Sequence, residues 1–596
     1  MIKVNRANRI CFYAMILVWF IFASVVFNYT VINAQNRINE TDAMSYVALF
    51  RDVIIRLKTF YVEELTYKDL IEFAIDGLYA KVTNDTTGTR DHFSFGDTGS
   101  PNDFHLYISL FNQELIKVRS EYGENYTIKD LIESSIEGML STVDPYTNFY
   151  RPDELESFRS QTEGEFGGLG ISIDRQGDYV VVVSPMEGTP AYKMGILAGD
   201  KIVSVDHVSV VGMKTEDVIS KMRGPKGSRV LIGIERYGVS EVLEFDIVRD
   251  IIKIKSIPYV FKTDNGVGYL RINTFSQSTS QELREAIDSL ESEGIKGLIV
   301  DLRNNGGGLL NEAVETVNEF IGPGKLVVST KGRMPQSSYE LFTRSPRMRS
   351  GYPVVVLINE ASASASEIFA GSLQDWDRAL ILGKTSFGKG SVQQIIPLSF
   401  DYGLKVTISK YYIKSGRCIH KDINDKLFRG KRVTDEEREA IQKEIETHQY
   451  YTVNGREVTG GGGITPDITI EGTYMTKFER EIRRMNLFFE YTFDYYREHA
   501  DEIIENFYPS ESMLNEFLEF GASKGLVWEK TDIDSSLVFI ERSLARDVIS
   551  KKFGDIAGFK VAIPMDTQLV QAIELFDRFS TLESLFEYSN EVKQLQ

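Results

Sequence analysis

The chain has 596 residues, with 67 Lys and Arg against 86 Asp and Glu and a formal net charge of -19. That length exceeds a single hydrophobic core and implies several domains, and the acidic balance argues against nucleic acid or an anionic membrane surface as a partner. Cys11 and Cys418 are the only cysteines, so no disulfide framework staples the body of the chain, and neither paired Cys-x-x-Cys knuckles nor a two-histidine zinc helix is present.

Residues 1–34 read as a targeting segment. Lys3, Arg6 and Arg9 precede an apolar run from Cys11 to Phe27, with Ile32 and Ala34 placed as cleavage-site residues. The run is long for a cleaved signal and slightly short for a span, so the expectation is an exported, periplasmic body, released or anchored to the inner membrane.

Residues 35–160 read as an N-terminal helical region containing a repeat. At an offset of 61, Thr66–Leu78 aligns with Thr127–Met139, and Tyr46, Leu49 and Phe50 match Tyr107, Leu110 and Phe111. The unit is a helix pair whose second helix opens at a Thr cap in each copy.

Residues 164–249 form a second module. Gly167-Gly-Leu-Gly-Ile171 leads into a strand, followed by a turn at Arg175–Asp178, a β-branched run at Tyr179–Val183, a strand at Lys201–Val205, a helix at Thr215–Met222 and a strand at Arg229–Arg236. This order resembles a PDZ domain. The resemblance implies capture of a peptide's C-terminal carboxylate by Leu169, Gly170 and Ile171, addition of the peptide as an edge strand, and a side-chain pocket lined by Val218 and Met222.

Residues 251–471 alternate strands and helices: strands at Gly266–Ile272, Gly297–Leu302, Lys325–Thr330 and Val354–Ile358, with helices at Ser280–Glu293, Leu309–Phe320 and Glu367–Gln374. The pattern implies a largely parallel α/β sheet with its active site at the strand C-termini. Within it, Tyr402–Ile413 is a later strand carrying Lys405, Thr407 and Ser409 on one alternating face. A charged insertion occupies 421–455, with a helix over Thr434–His448 and a solvated surface as its simplest role. Residues 473–596 read as a helical C-terminal domain packed on the core.

The chemistry concentrates between Asn359 and Gln393. A strand-to-helix turn presents Ser362, Ser364 and Ser366 among alanines, where free N–H groups of the first helical turn can face an oxyanion. Six histidines lie in no catalytic-looking context, but Lys389, between Gly388 and Gly390, suits a base whose pKa is lowered by burial. A phosphate-loop reading of Gly383–Lys389 fails because Gly390 stands where Ser or Thr must reach magnesium. These residues alone do not separate the three serines.

Six landmarks occur in series: Asp144–Tyr150, Gly164–Ile171, Asp301–Gly308, Ser362–Glu367, Phe387–Gln393 and Gly462–Asp467. In this order they resemble the C-terminal processing peptidases, or tail-specific proteases, which are serine endopeptidases with a Ser/Lys dyad and an embedded PDZ domain. The resemblance runs from about Tyr126 to Ile470. It implies a multi-domain α/β protein with a crotonase/protease-like core, and makes Ser364 the nucleophile, Lys389 the general base and Gln393 the residue that orients the lysine. The N–H groups of Ala365 and Gly307 become the oxyanion hole, glycine being needed where main chain approaches the scissile carbonyl. Asp375 matches a family acid, but its place at the far end of the helix makes it structural, with Arg378 as the expected partner.

The expected function is therefore hydrolysis of peptide bonds, through an acyl-enzyme, in proteins with free C-terminal tails, without cofactor or metal. The alternative is a catalytically silent PDZ scaffold. The helical regions at either end are the candidate surfaces for self-association or for an adaptor, with the N-terminal duplication enlarging a dimer interface.

Overall fold

The computed structural model describes residues 43–595 apart from 85–92, 97–98, 123–124, 347, 350 and 422–448. The targeting segment and the helix expected over Thr434–His448 lie outside the described residues. Among the described residues, no helix is long and apolar enough to cross a membrane.

A helix over 43–60 and the helices Tyr67–Thr83, Phe104–Tyr122 and Ile128–Leu140 pack around one core. The two Thr caps form as the sequence predicts: Thr66 accepts from Asp69 N, and Thr127 and Asp130 close a reciprocal capping box. The repeat packs on itself. Phe50 stacks on its counterpart Phe111 at 4.0 Å between centroids. A Cβ on Gly77 would stand 2.7 Å from the Cα of its counterpart Gly138. Contact between equivalent residues is isologous packing, as between two subunits of a dimer.

The next module is inserted into the core. Its two ends leave and return side by side, Glu165–Gly168 pairing antiparallel with Asp250–Lys253. Inside, the sheet ends on one side at Ile171–Gln176, which pairs only with Tyr179–Pro185. That free edge lies near the helix Thr215–Met222. Arg249 fixes the helix, donating to the carbonyls of Met222 and Lys221 at 2.8 and 3.0 Å, the orphan acceptors of a helix C-terminus.

The core sheet runs Tyr259–Lys262, Val267–Arg271, Gly297–Asp301, Val354–Ile358, Leu380–Gly383 and Ile468–Thr469, parallel except for its first strand. Along Val354–Ile358 every residue is buried, and the alternation sends Val354, Val356 and Ile358 to one core and Val355 and Leu357 to another. The first face is covered by helices Thr279–Ser292, Leu310–Val317 and Ala365–Asp375. The strand expected over Lys325–Thr330 belongs elsewhere: Leu326–Gly332 joins an antiparallel sheet with Asn148–Tyr150, Ser391–Pro397 and Gly403–Ile413. Alternating β and α pattern could not reveal that the chain changes sheets there.

The C-terminal region, read as one helical domain, divides in two. Residues of the helices between Lys477 and Phe553 form their own core and lean on the inserted module, where a Cβ on Gly199 would meet the Phe493 ring at 2.0 Å. Helices Thr567–Arg578 and Leu582–Leu595 instead cover the second face of the core sheet. A Cβ on Gly297 would stand 2.3 Å from Phe576, so this helix sits directly on strand backbone.

Candidate active site

The strand Val354–Ile358 delivers the chain to the turn before helix Ala365–Asp375, and that turn sorts the three serines. Ser362 is fully buried and its hydroxyl donates to Leu302 O at 2.8 Å. Ser366 is fully buried and donates to Asn305 O at 2.9 Å. Ser364 is only half-buried and lines a cavity of about 620 Å³ together with Lys389, Gln393, Lys405, Tyr411 and the Gly306–Gly308 turn. Two hydroxyls thus serve the architecture, and one opens to a space that can hold substrate.

Ser364 sits at φ 57°, ψ -114°, a conformation that costs a non-glycine residue on the order of 1–3 kcal/mol and persists only where surroundings enforce it. Glu367 and Tyr411 supply the enforcement. The Glu367 carboxylate accepts from Ser364 N at 2.8 Å and Lys389 N at 2.9 Å through one oxygen, and from Gly388 N at 2.7 Å and Ser386 Oγ through the other. Burial pushes its pKa up, while these donors oppose that rise. Tyr411 Oη donates towards the carbonyls of Ser364, at 3.1 Å, and Lys389, at 2.6 Å. Both backbones are therefore held by two shared side chains.

Lys389 has its pKa lowered to about 8, chiefly by burial and then by the nearby Lys405 charge; Asp144 and Glu367 oppose the shift. Its ammonium stands 4.8 Å from the Tyr146 ring centroid. Tyr146 is held at this position by Asp144, whose Oδ1 accepts from Tyr146 N at 2.7 Å. Ser364 and Lys389 face the same cavity without a hydrogen bond between their side chains, a spacing that substrate binding commonly tightens. Gln393 lines the cavity too, but its Nε2 donates to Ser391 Oγ at 2.9 Å and Thr407 Oγ1 at 3.4 Å. It makes no hydrogen bond to Lys389, contrary to the orienting role expected for it.

The expected oxyanion donors are the N–H groups of Ala365 and Gly307. Gly307 does lie against the nucleophile turn: a Cβ there would meet Ser364 Cβ at 2.8 Å and Ala365 N at 2.9 Å. Its own N–H, however, donates to Asn305 Oδ1 at 2.8 Å. Gly308 bridges Phe275 through its neighbours, with Phe275 N donating to Gly307 O and Leu309 N to Phe275 O. This turns the Gly308 N–H away from Phe275, and it has no partner among the described residues. The N–H of Ala365 is likewise without one. Ala365 and Gly308 both line the cavity.

Of Lys405, Thr407 and Ser409 on the alternating strand face, only Lys405 reaches the cavity. Thr407 and Ser409 are buried beneath it. Tyr411, two residues further, was not foreseen, although it continues the same alternation. Glu367 carried a legible signal, because Ser364-x-x-Glu367 is a capping-box spacing. Asp375 is structural as expected, but its partner is Arg417 at 2.8 Å, both groups being fully buried, and not Arg378.

In the inserted module, Leu169, Gly170, Ile171 and Met222 line a groove between the free strand edge and the helix, with Phe166, Ile219 and Arg223. The N–H groups of Leu169 and Gly170 have no partner among the described residues. Val218 is the correction: it is fully buried in the module's own core. One residue is about 100° on a helix, and the groove face belongs to Ile219.

Family models for Peptidase family S41 and for a PDZ domain match residues 266–426 and 181–236. The chain is 39% identical over 326 residues to the carboxy-terminal-processing protease of Bartonella bacilliformis, covering 54% of this chain and 74% of that one. It is 34% identical over 311 residues to the carboxy-terminal processing protease CtpA of Bacillus subtilis, covering 52% of this chain and 66% of that one. Among solved structures, a photosystem II D1 C-terminal processing protease has 27% identity and a TM-score of 0.34, covering 63% of this chain and 90% of that one.

Proposed function

The chain belongs to the carboxy-terminal-processing protease family of S41 serine peptidases, and on that premise we propose that it is an exported endopeptidase that captures free C-terminal tails in its PDZ groove and cuts through an acyl-enzyme at Ser364. One observation carries the reading: of three serines in the turn, only Ser364 opens to the cavity, and it shares that cavity with a lysine whose pKa is lowered to about 8.

In this reading neutral Lys389 accepts the Ser364 Oγ proton as Oγ attacks the scissile carbonyl carbon. The carbonyl oxygen gains the negative charge and is received by the N–H groups of Ala365 and Gly308. As the tetrahedral intermediate collapses, the C–N bond breaks and Lys389 returns the proton to the departing amine. Water, deprotonated by the same lysine, then releases the acyl group. With a pKa of about 8, roughly a tenth of Lys389 is neutral at pH 7 and half at pH 8.

The groove supports tail recognition because a free strand edge, unpaired N–H groups at Leu169 and Gly170, and apolar walls from Ile219 and Met222 match an extended peptide ending in a carboxylate. Export is supported by the charged and apolar segment at residues 1–34.

The test is cleavage of an unfolded protein with an apolar tail by wild type, Ser364→Ala and Lys389→Ala, and of the same substrate with its tail amidated. Loss of at least about 10³-fold in both variants is expected, with slower cleavage of the amidated tail. Binding of the tail without cleavage by wild type would replace the peptidase reading with that of a silent scaffold.

A further inference from the structure

We propose that Asp566, far outside the matched peptidase region, is a positioning residue for the catalytic loop 302–308, acting through Arg303; the proposal rests on the peptidase reading above. Arg303 lies at the end of strand Gly297–Asp301, three residues before the Gly306–Gly308 turn. Its guanidinium is mostly buried and shared between two carboxylates. Nε and Nη2 donate to Asp301, at 3.0 and 2.7 Å. Nη1 and Nη2 donate as a fork to the two oxygens of Asp566, at 2.7 and 2.6 Å, and Nη1 also donates to Gln568 Oε1 at 3.0 Å.

The anchor is rigid. Asp566 caps helix Thr567–Arg578, accepting from Leu569 N at 3.0 Å. Gln568 Nε2 donates to Ile470 O at 2.7 Å, and Leu569, Ala572, Leu575 and Phe576 bury the helix against the core sheet. A bidentate guanidinium–carboxylate pair fixes orientation as well as position.

The loop carries that orientation to the nucleophile. Asn304, at φ 61°, exchanges two hydrogen bonds with Asn359, each 2.9 Å. Asn305 O accepts from Ala363 N at 3.0 Å and Ser366 Oγ at 2.9 Å, and Asn305 Oδ1 holds Gly307 N at 2.8 Å. Without the Asp566 carboxylate, Arg303 Nη1 keeps only Gln568, and an under-paired buried cation turns toward water. That movement starts one residue from the Asn304–Asn359 exchange and misaligns the Gly308 donor against Ser364.

The experiment uses the full chain. Asp566→Asn and Asp566→Ser both retain an N-cap side chain while removing the anion, and Asp566→Glu restores it. Asp577→Asn, which removes the partner of Lys296 from the same helix, is the control. Rates are counted per active site titrated with a fluorophosphonate, so misfolded chain does not enter. Asn and Ser variants are expected to lose about tenfold in kcat, less than the ~10²-fold or more that outright loss of an oxyanion donor costs. KM should stay within about twofold, affinity for a peptide boronate should fall in parallel with kcat, Asp566→Glu should recover most of the rate, and Asp577→Asn should match wild type.

Wild-type kcat in both the Asn and Ser variants, or a loss confined to KM, overturns the proposal. Amide hydrogen exchange across 302–308 needs no activity: faster exchange in Asp566→Ser supports the clamp and unchanged exchange refutes it. Inactivity of the wild type itself counts against the peptidase reading alone.

Discussion

Two glycine-rich loops in this chain carry N–H groups without a partner among the described residues, proposed above to receive a negatively charged oxygen, and they are held in different ways. The catalytic loop is over-determined: Gly307 at φ 101° abuts backbone of the nucleophile turn, and Asn305, Asn359 and Arg303 fix its neighbours through side chains. The loop Leu169–Ile171 is held mainly through its backbone carbonyls, Leu169 O accepting from Ala191 N at 3.0 Å. Gly170 at φ 76° lies against the Cβ, Cγ2 and Oγ1 of Thr189, and its carbonyl accepts from Met186 N at 2.8 Å and Thr189 Oγ1 at 3.1 Å. A transition-state oxyanion must find its donors already in place, whereas a tail of variable sequence gains from a loop that adjusts.

The largest effect that would break this contrast is Gly307→Ala. The new methyl meets Ala363 O, Ser364 Cβ and Ala365 N at 2.7 to 2.9 Å, at a φ hostile to alanine, so kcat should fall by about 10²-fold or more. No neighbouring truncation should rescue it, because two of these atoms are backbone and the third belongs to the nucleophile. Gly170→Ala meets only Thr189 side-chain atoms, at 2.3 to 2.4 Å. A smaller loss is expected there, about tenfold in tail-peptide affinity measured by fluorescence anisotropy, partly recovered by adding Thr189→Gly, which removes all three atoms, Cβ included. Equal losses without rescue in both loops would show that the binding loop is as rigid as the catalytic one.

How much of this was legible depended on the kind of signal. The capped helices of the repeat, the alternation of the inserted module and the all-apolar core strands followed from periodicity and capping chemistry alone. The three serines could not be separated from the turn's composition, since their difference is which carbonyl each hydroxyl meets, and Leu302 and Asn305 come from a different strand end. The N–H of Gly307 is taken by Asn305 and Val218 is buried in its own module's core, because the direction of one N–H and the phase of one short helix are tertiary facts. The split of the C-terminal region was hidden for a similar reason. Residues 567–595 show the same helical period as the preceding helices, and only the exposed underside of the core sheet decides which of them it recruits.

The smallest predicted effect sharpens the electrostatic side of the contrast. Lys405 lines the catalytic cavity with its ammonium 5.3 Å from the Tyr150 ring and 5.6 Å from the Phe158 ring, and its charge is the second cause, after burial, of the lowered Lys389 pKa. Lys405→Met keeps the apolar stem and removes the charge. Lys389 should then titrate higher. With the neutral amine as the proposed base, kcat/KM rises with pH through that pKa, so the limb should move to higher pH: activity falls at pH 7 and is retained near pH 9.5. Stability moves with the same group. A lysine whose folded pKa of about 8 lies below its unfolded value binds more protons when unfolded, so the fold gains stability as pH rises between the two, and Lys405→Met narrows that window from its lower edge. A pH–rate limb that stays in place would assign the lowered pKa to burial alone and leave Lys405 a contact for substrate carboxylates.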